Sequence, residues 1–219
     1  LVIRLEVSSL LHGQQPPATA QIISDGLTRS EDPRVQRAAP RLERAIERAV
    51  KLAEDTLSFG RSDPPKPQLN AHSLRAIIEE AAHEALLSHK GIVWTNGVDG
   101  TLMANVDNDH LHRIIVNLLR NAAQAIEGMN RPDGSGRVTV HHNAEGTNIT
   151  LEITDDGPGI PERVQTSLFK PFSASGSKRG SGLGLAIARE LANGMGGDLK
   201  LVRTDETGTV FQLILTQSS

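Results

Sequence analysis

Asn117 and Asn121 stand four residues apart in the stretch Asn117-Leu118-Leu119-Arg120-Asn121-Ala122. At that spacing two carboxamides share one face of a helix. Their oxygens can ligate Mg²⁺ or orient water, and a pair of satisfied core amides is the plainer alternative. A second stretch, Asp155-Asp156-Gly157-Pro158-Gly159-Ile160, follows an apolar alternating segment. Its glycines allow a tight turn and close approach of a ligand to the backbone. A carboxylate at such a strand end can accept a hydrogen bond from an amino group such as that of adenine, although acidic Asp-Gly turns are common. The third stretch, Leu168-Phe169-Lys170-Pro171-Phe172, places two of the chain's four phenylalanines in a polar loop, where they can anchor a mobile segment on the core. The fourth, Gly180-Ser181-Gly182-Leu183-Gly184-Leu185, opens a helix. Bare backbone N–H groups and the helix dipole favour anions there, and Lys178 and Arg179 add positive charge just upstream. A flexible Gly/Ser loop is the alternative for that segment alone. The Gly-Lys-Ser/Thr phosphate loop, the dinucleotide fingerprint and the protein-kinase signatures do not occur.

His12 is a fifth candidate. A neutral imidazole is a competent nucleophile near neutral pH and can accept a phosphoryl group. The remaining histidines, His72, His83, His89, His110, His112, His141 and His142, show no zinc-ligand spacing and are read as solvated or structural.

The elements that must position these groups fall into two parts. Residues 1–62 read as a helical hairpin. Asp32 and Pro33 suit a helix start, and Val35, Ala39, Leu42, Ile46, Ala49, Ala53 and Thr56 recur at alternating spacings of four and three. That is a heptad seam. A less regular partner helix carries Ile22, Ile23 and Leu27. Two such helices bury little alone, so a four-helix bundle formed by dimerisation is the expected solution. The Pro-rich break from Gly60 to Pro67 reads as a linker. Residues 68–219 then mix helix and strand. Helices are expected over Leu74–Leu87, Leu111–Ile126 and about Leu183–Asn193. Strands are expected over Ile92–Thr95, Leu102–Val106, Arg137–His142, Asn148–Thr154, Leu199–Arg203 and Thr209–Leu215. Hairpin connections predict helices layered on one face of a mixed sheet.

The 219 residues carry a net charge of -3, so no global field points to nucleic acid or an anionic membrane. Cysteine is absent, which excludes disulfides and thiolate metal sites. No apolar run approaches the roughly 20 residues of a membrane span. The chain starts at Leu1 rather than Met and is expected to be a cytoplasmic fragment, such as the cytoplasmic part of a membrane-bound sensor.

Taken in order, the four stretches resemble the N, G1, F and G2 boxes of the histidine kinase ATPase domain, in the GHKL superfamily that includes gyrase, MutL and a heat-shock chaperone. The resemblance covers roughly Leu69 to Leu215. It implies an α+β protein whose second part is an α/β sandwich, with ATP between the N-box helix and a mobile lid at about Pro161 to Ser181. By this resemblance Asn121 ligates Mg²⁺ and Asn117 is the catalytic polar residue one turn earlier. Asp155 reads the adenine amino group, and Gly157 and Gly159 line the adenine. Lys178, Arg179, Gly180, Gly182, Leu183 and Gly184 border the phosphates. Gln124 departs from the family, many members of which carry a phosphate-reaching Lys there. The hairpin resembles the dimerisation and histidine phosphotransfer domain, with His12 and Pro17 at the family's spacing. Gly13 replaces the usual acidic residue after the phosphoacceptor, and Gln15 and Pro16 replace the usual basic and Asn/Thr positions. The implied function is a homodimeric two-component sensor histidine kinase core. It would pass the γ-phosphoryl group of ATP to His12 and then to an Asp of a response regulator receiver domain, touching neither nucleic acid nor membrane. Those departures leave open a degenerate kinase, or a histidine phosphotransferase-like relay or scaffold protein of the same fold.

Overall fold

The computed structural model describes residue 35 and residues 66–89, 91–129, 131, 135–145, 148–172 and 182–216. The chain divides between Asp63 and Pro64 into two units. Except for Val35, the expected hairpin lies outside the described residues, together with His12 and the linker as far as residue 65.

Seven strands and four helices build the second unit: β1 (Asn70–Ser73), α1 (Leu74–Leu86), β2 (Ile92–Asn96), β3 (Met103–Val106), α2 (Asn108–Glu127), β4 (Gly136–Glu145), β5 (Asn148–Asp155), α3 (Glu162–Gln165), α4 (Gly184–Gly194), β6 (Asp198–Asp205) and β7 (Gly208–Thr216). Five strands form one sheet in the order β2-β4-β5-β7-β6. The β2–β4 pair is parallel and the other pairs are antiparallel. Strand β5 shows why one face is covered. Ile149, Leu151, Ile153 and Asp155 are buried, while Thr150, Glu152 and Thr154 alternate with them on the wetter face. Helices α1, α2 and α4 lie against the sheet, with α2 between the other two. This is an α/β sandwich with a mixed sheet. Among the described residues no helix is long and apolar enough to cross a membrane.

Helix α2 is the spine. Leu111, Ile114, Ile115, Leu118 and Leu119 are at most 1% exposed. Each buried side chain of that size contributes roughly 1.5–3 kcal/mol. Their spacing leaves a narrow strip on which Asn117 and Asn121 stay half-buried. The small antiparallel sheet β1–β3, which pairs Asn70 with Val106 and Ser73 with Met103, leads into α1 at one end and into α2 at the other. Ser73 at the end of β1 caps α1 by accepting from Ala76 N–H at 3.4 Å. Asp107, directly after β3, caps α2 by accepting from His110 N–H at 3.0 Å, and its other oxygen accepts from Gln68 N–H at 2.8 Å. The short β1 and α3 were not among the elements expected from the pattern.

Candidate functional site

The strip on α2 runs between two glycine-bearing turns. At one end Asn117 faces the start of α4, where a Cβ on Gly184 would stand 3.2 Å from Asn117 Oδ1. At the other end, two turns on, Ala125 faces Gly157, where a Cβ would meet Ala125 Cβ at 3.2 Å and Asp155 Oδ1 at 2.7 Å. Asn121 lies midway. Eight residues of helix separate the two ends, about 12 Å along the axis. The side chains of Asn117 and Asn121 have no hydrogen-bond partner among the described residues.

Asp155 ends β5 and is 6% exposed. Its Oδ1 accepts from Gly157 N–H at 2.8 Å, and Thr209 N–H also donates to it from β7. Burial pushes its carboxyl up to about 6, and the neighbouring Asp156 charge adds to that; the two backbone donors pull the other way. A carboxylate kept at a low-dielectric strand end is a strong acceptor for an amino group. The turn beyond it rests on the β6–β7 hairpin. Gly159 has φ 74° and is pressed against the Asp205 carbonyl, so a side chain there meets both backbone strain and a clash. Ile160 N–H donates to Thr204 Oγ1 at 2.7 Å. The hairpin itself is fixed by Asp205, which accepts from Thr207 N–H at 2.8 Å and from the Arg203 guanidinium at 2.6 Å. Hydrogen bonds from Thr207, and after them the Arg203 contact, hold the Asp205 carboxyl down to about 2.

The phenylalanine loop divides its labour. Phe169 packs edge-on against Phe211 at 6.4 Å between centroids. The guanidinium of Arg189 on α4 lies 4.9 Å above the Phe169 ring and pairs with Asp198 at 3.1 Å. Phe172 is 49% exposed, so the anchor expected from two phenylalanines is provided by Phe169. Phe172 adopts φ 61°, and its N–H donates to the Gly182 carbonyl at 3.1 Å. That bond joins the two ends of the segment 173–181. Lys178, Arg179 and Gly180 fall within that segment and lie outside the described residues. Leu183 is fully buried and, as the residue before α4, makes no side-chain capping hydrogen bond.

The structure thus brings Asn117 to Gly184, and Asp155 to Gly157, along one helix face. The turn at Glu206-Thr207-Gly208 was legible, but local sequence patterns did not point to Thr209, to Asp205 as the contact of Gly159, or to Arg131, which binds Asp156 through an ion pair of 2.9 Å. The signal available for Thr209 was its place at the start of the last strand, opposite Asp155 in register.

The residues present fit a Mg²⁺ held largely by phosphate and water. Mg²⁺ takes oxygen ligands and keeps much of its hydration shell, so one or two carboxamide oxygens beside a polyphosphate suffice. Among the described residues no cluster of acidic or histidine ligands offers an all-protein cage.

The family profile described as "Histidine kinase-, DNA gyrase B-, and HSP90-like ATPase" matches residues 106–219. The sensory histidine kinase/phosphatase NtrB of Rhodobacter capsulatus is 32% identical over 161 residues, covering 66% of this chain and 42% of NtrB. The chain spans less than half the length of the curated relatives it matches. Among solved structures, full-length ShkA in complex with AMPPNP superposes with a TM-score of 0.74 at 21% identity, over 97% of this chain and 46% of that one. The histidine kinase ThkA in complex with the response regulator protein TrrA superposes with a TM-score of 0.67 at 19% identity, over 96% of this chain and 60% of that one. The fold, the matched profile and the relatives agree. The chain belongs to the histidine kinase-, DNA gyrase B- and HSP90-like ATPase family, and its second unit is an ATP-binding catalytic domain of the histidine kinase type.

Proposed function

We propose that residues 68–219 bind ATP·Mg²⁺ and that residues 1–62 form the dimerisation and phosphoacceptor hairpin of a two-component sensor histidine kinase. The observation that carries the nucleotide reading is the layout of α2. The adenine-side turn at Gly157 and the phosphate-side turn at Gly184 face the same helix strip about 12 Å apart, the span of a nucleotide laid along it.

In this reading Asp155 accepts a hydrogen bond from the adenine amino group, and Gly157 and Gly159 let the base approach the backbone. Gly182 and Leu183 before α4 and Gly184 at its start offer N–H groups to phosphate, and α4 adds the positive end of its dipole. Lys178, Arg179 and Gly180 complete that end. Asn121 holds Mg²⁺ through its carboxamide oxygen, with Asn117 one turn earlier beside α4. Bound Mg²⁺ supplies charge neutralisation on the phosphates. An imidazole nitrogen of His12 attacks the γ-phosphorus, a P–N bond forms, the bond to the β–γ bridging oxygen breaks, and ADP leaves. The phosphoryl group then passes to an Asp of a response regulator. The solved ThkA complex with its response regulator is a precedent on the same fold. The hairpin pairs with that of a second copy, and the protein works in the cytoplasm.

Incubation with Mg²⁺ and γ-labelled ATP, beside a His12→Ala control, tests the transfer. Acid-labile, base-stable label that disappears in the variant is the expected result. Gly13 and Pro16 favour a second reading, in which the hairpin is a relay or scaffold. Nucleotide binding with no label on the parent chain would replace the first reading by the second.

A further inference from the structure

Asp156 is the residue of the acidic turn that the nucleotide reading leaves without a task. Its own N–H donates to the Arg137 carbonyl at 3.2 Å, and its Oδ1 accepts from Arg137 N–H at 2.9 Å. These bonds hold it to the first residues of β4. The other side of Asp156 is held by Arg131, in the connection between α2 and β4. One guanidinium nitrogen donates to the Asp156 backbone carbonyl at 2.6 Å, and the other pairs with Asp156 Oδ2 at 2.9 Å. One planar fork therefore grips main chain and side chain of the same residue, a geometry that guanidinium makes and ammonium does not.

The place of this grip matters. Asp156 lies between Asp155, whose carboxylate is buried, and Gly157, whose N–H orients that carboxylate at 2.8 Å. A peptide rotation at Asp156 would turn both at once. We propose that Arg131 is a positioning residue for nucleotide recognition, fixing through Asp156 the carboxylate and backbone that read the adenine ring. This rests on the nucleotide reading of Asp155. The Arg131 and Asp156 side chains are 28% and 36% exposed. A pair so open to solvent adds little to global stability, so its removal should act on recognition rather than on folding. Its positive charge also lies on the carboxylate whose own charge opposes ionisation of Asp155.

The test uses the full chain with Arg131→Ala and Arg131→Lys. Affinities for ADP and for inorganic tripolyphosphate are measured by titration calorimetry with Mg²⁺, and thermal midpoints are recorded alongside. Arg131→Ala should weaken ADP by about 10-fold and leave tripolyphosphate within about 2-fold, because only the base end is disturbed. Arg131→Lys should recover part of the loss, restoring charge but not the fork. The midpoint should stay close to that of the parent. Equal ADP affinity in parent and Arg131→Ala would overturn the inference alone, and so would a parallel loss for both ligands. Failure of the parent chain to bind ADP would overturn the nucleotide reading and this inference with it.

Discussion

Asp155 carries a cost that its neighbours do not remove. Its carboxyl titrates at about 6 in the folded protein against an ordinary 3.8, chiefly because it is buried. A raised carboxyl pKa means that the folded state binds the proton more tightly than the unfolded state. The ionised form therefore destabilises the fold above about pH 6, and the penalty fades as pH falls from there towards 3.8. A shift of that size corresponds to roughly 3 kcal/mol at neutral pH. In the proposed function that cost accompanies a strong acceptor for the adenine amino group. Asp155→Asn keeps an oxygen for Gly157 N–H but turns an amide NH₂ towards the adenine amino group. The variant should be more stable than the parent at pH 8, by roughly 1–3 kcal/mol, with the gap closing towards pH 4. It should also bind ADP roughly 10- to 100-fold more weakly, the worth of a hydrogen bond to a charged acceptor. Thermal melts across pH and calorimetric titration check the two halves. Unchanged ADP affinity would remove Asp155 from the adenine site.

At the scale of elements, α2 positions most of the candidate site, and its start is fixed by one carboxylate. Backbone N–H groups of His110 and Gln68 hold the Asp107 carboxyl below its ordinary 3.8, although partial burial, the largest single influence, works against them. A depressed carboxyl pKa stabilises the fold above the unfolded value, and the gain is lost as pH falls through the folded one. Asp107→Ala should cost about 1–2 kcal/mol at pH 7, read as a lowered denaturation midpoint, with the gap to the parent closing below pH 3.8. An unchanged midpoint at pH 7 would show that the cap and the Gln68 tether do not bear on stability. The same helix shows what a sequence makes legible. Its apolar stripe, twenty residues long from Asn108 to Glu127, announces itself by period, and so do the alternating strands β5 and β7. Strand β1 does not, because Asn-Ala-His-Ser has no apolar alternation and becomes a strand only by pairing with β3. The site divides in the same way. Asn117, Asp155 and the glycines were visible as local patterns. Thr209, Asp205 and Arg131 act across 54, 46 and 25 positions of chain on Asp155, Gly159 and Asp156, and only the assembled fold brings them there.

For the whole molecule, the two parts have different ways to bury apolar surface. The second unit has a continuous core of its own across sheet and helices. The proposed hairpin has one heptad seam, with Leu42 and Ile46 at its centre, and two helices cannot cover such a seam by themselves. A second copy can, and the four-helix bundle so formed would place two His12 side chains in one assembly. The chain should therefore sediment at twice its own mass at micromolar concentration. A Leu42→Glu, Ile46→Glu double variant puts charge at the seam and should sediment as a monomer. Its ADP affinity should stay within about 2-fold of the parent, because the sandwich does not depend on the seam for its core. Velocity sedimentation and calorimetry on the same samples read both quantities. A parent chain that sediments as a monomer would remove the dimer. A double variant that loses dimer and ADP binding together would instead tie the nucleotide site to the bundle.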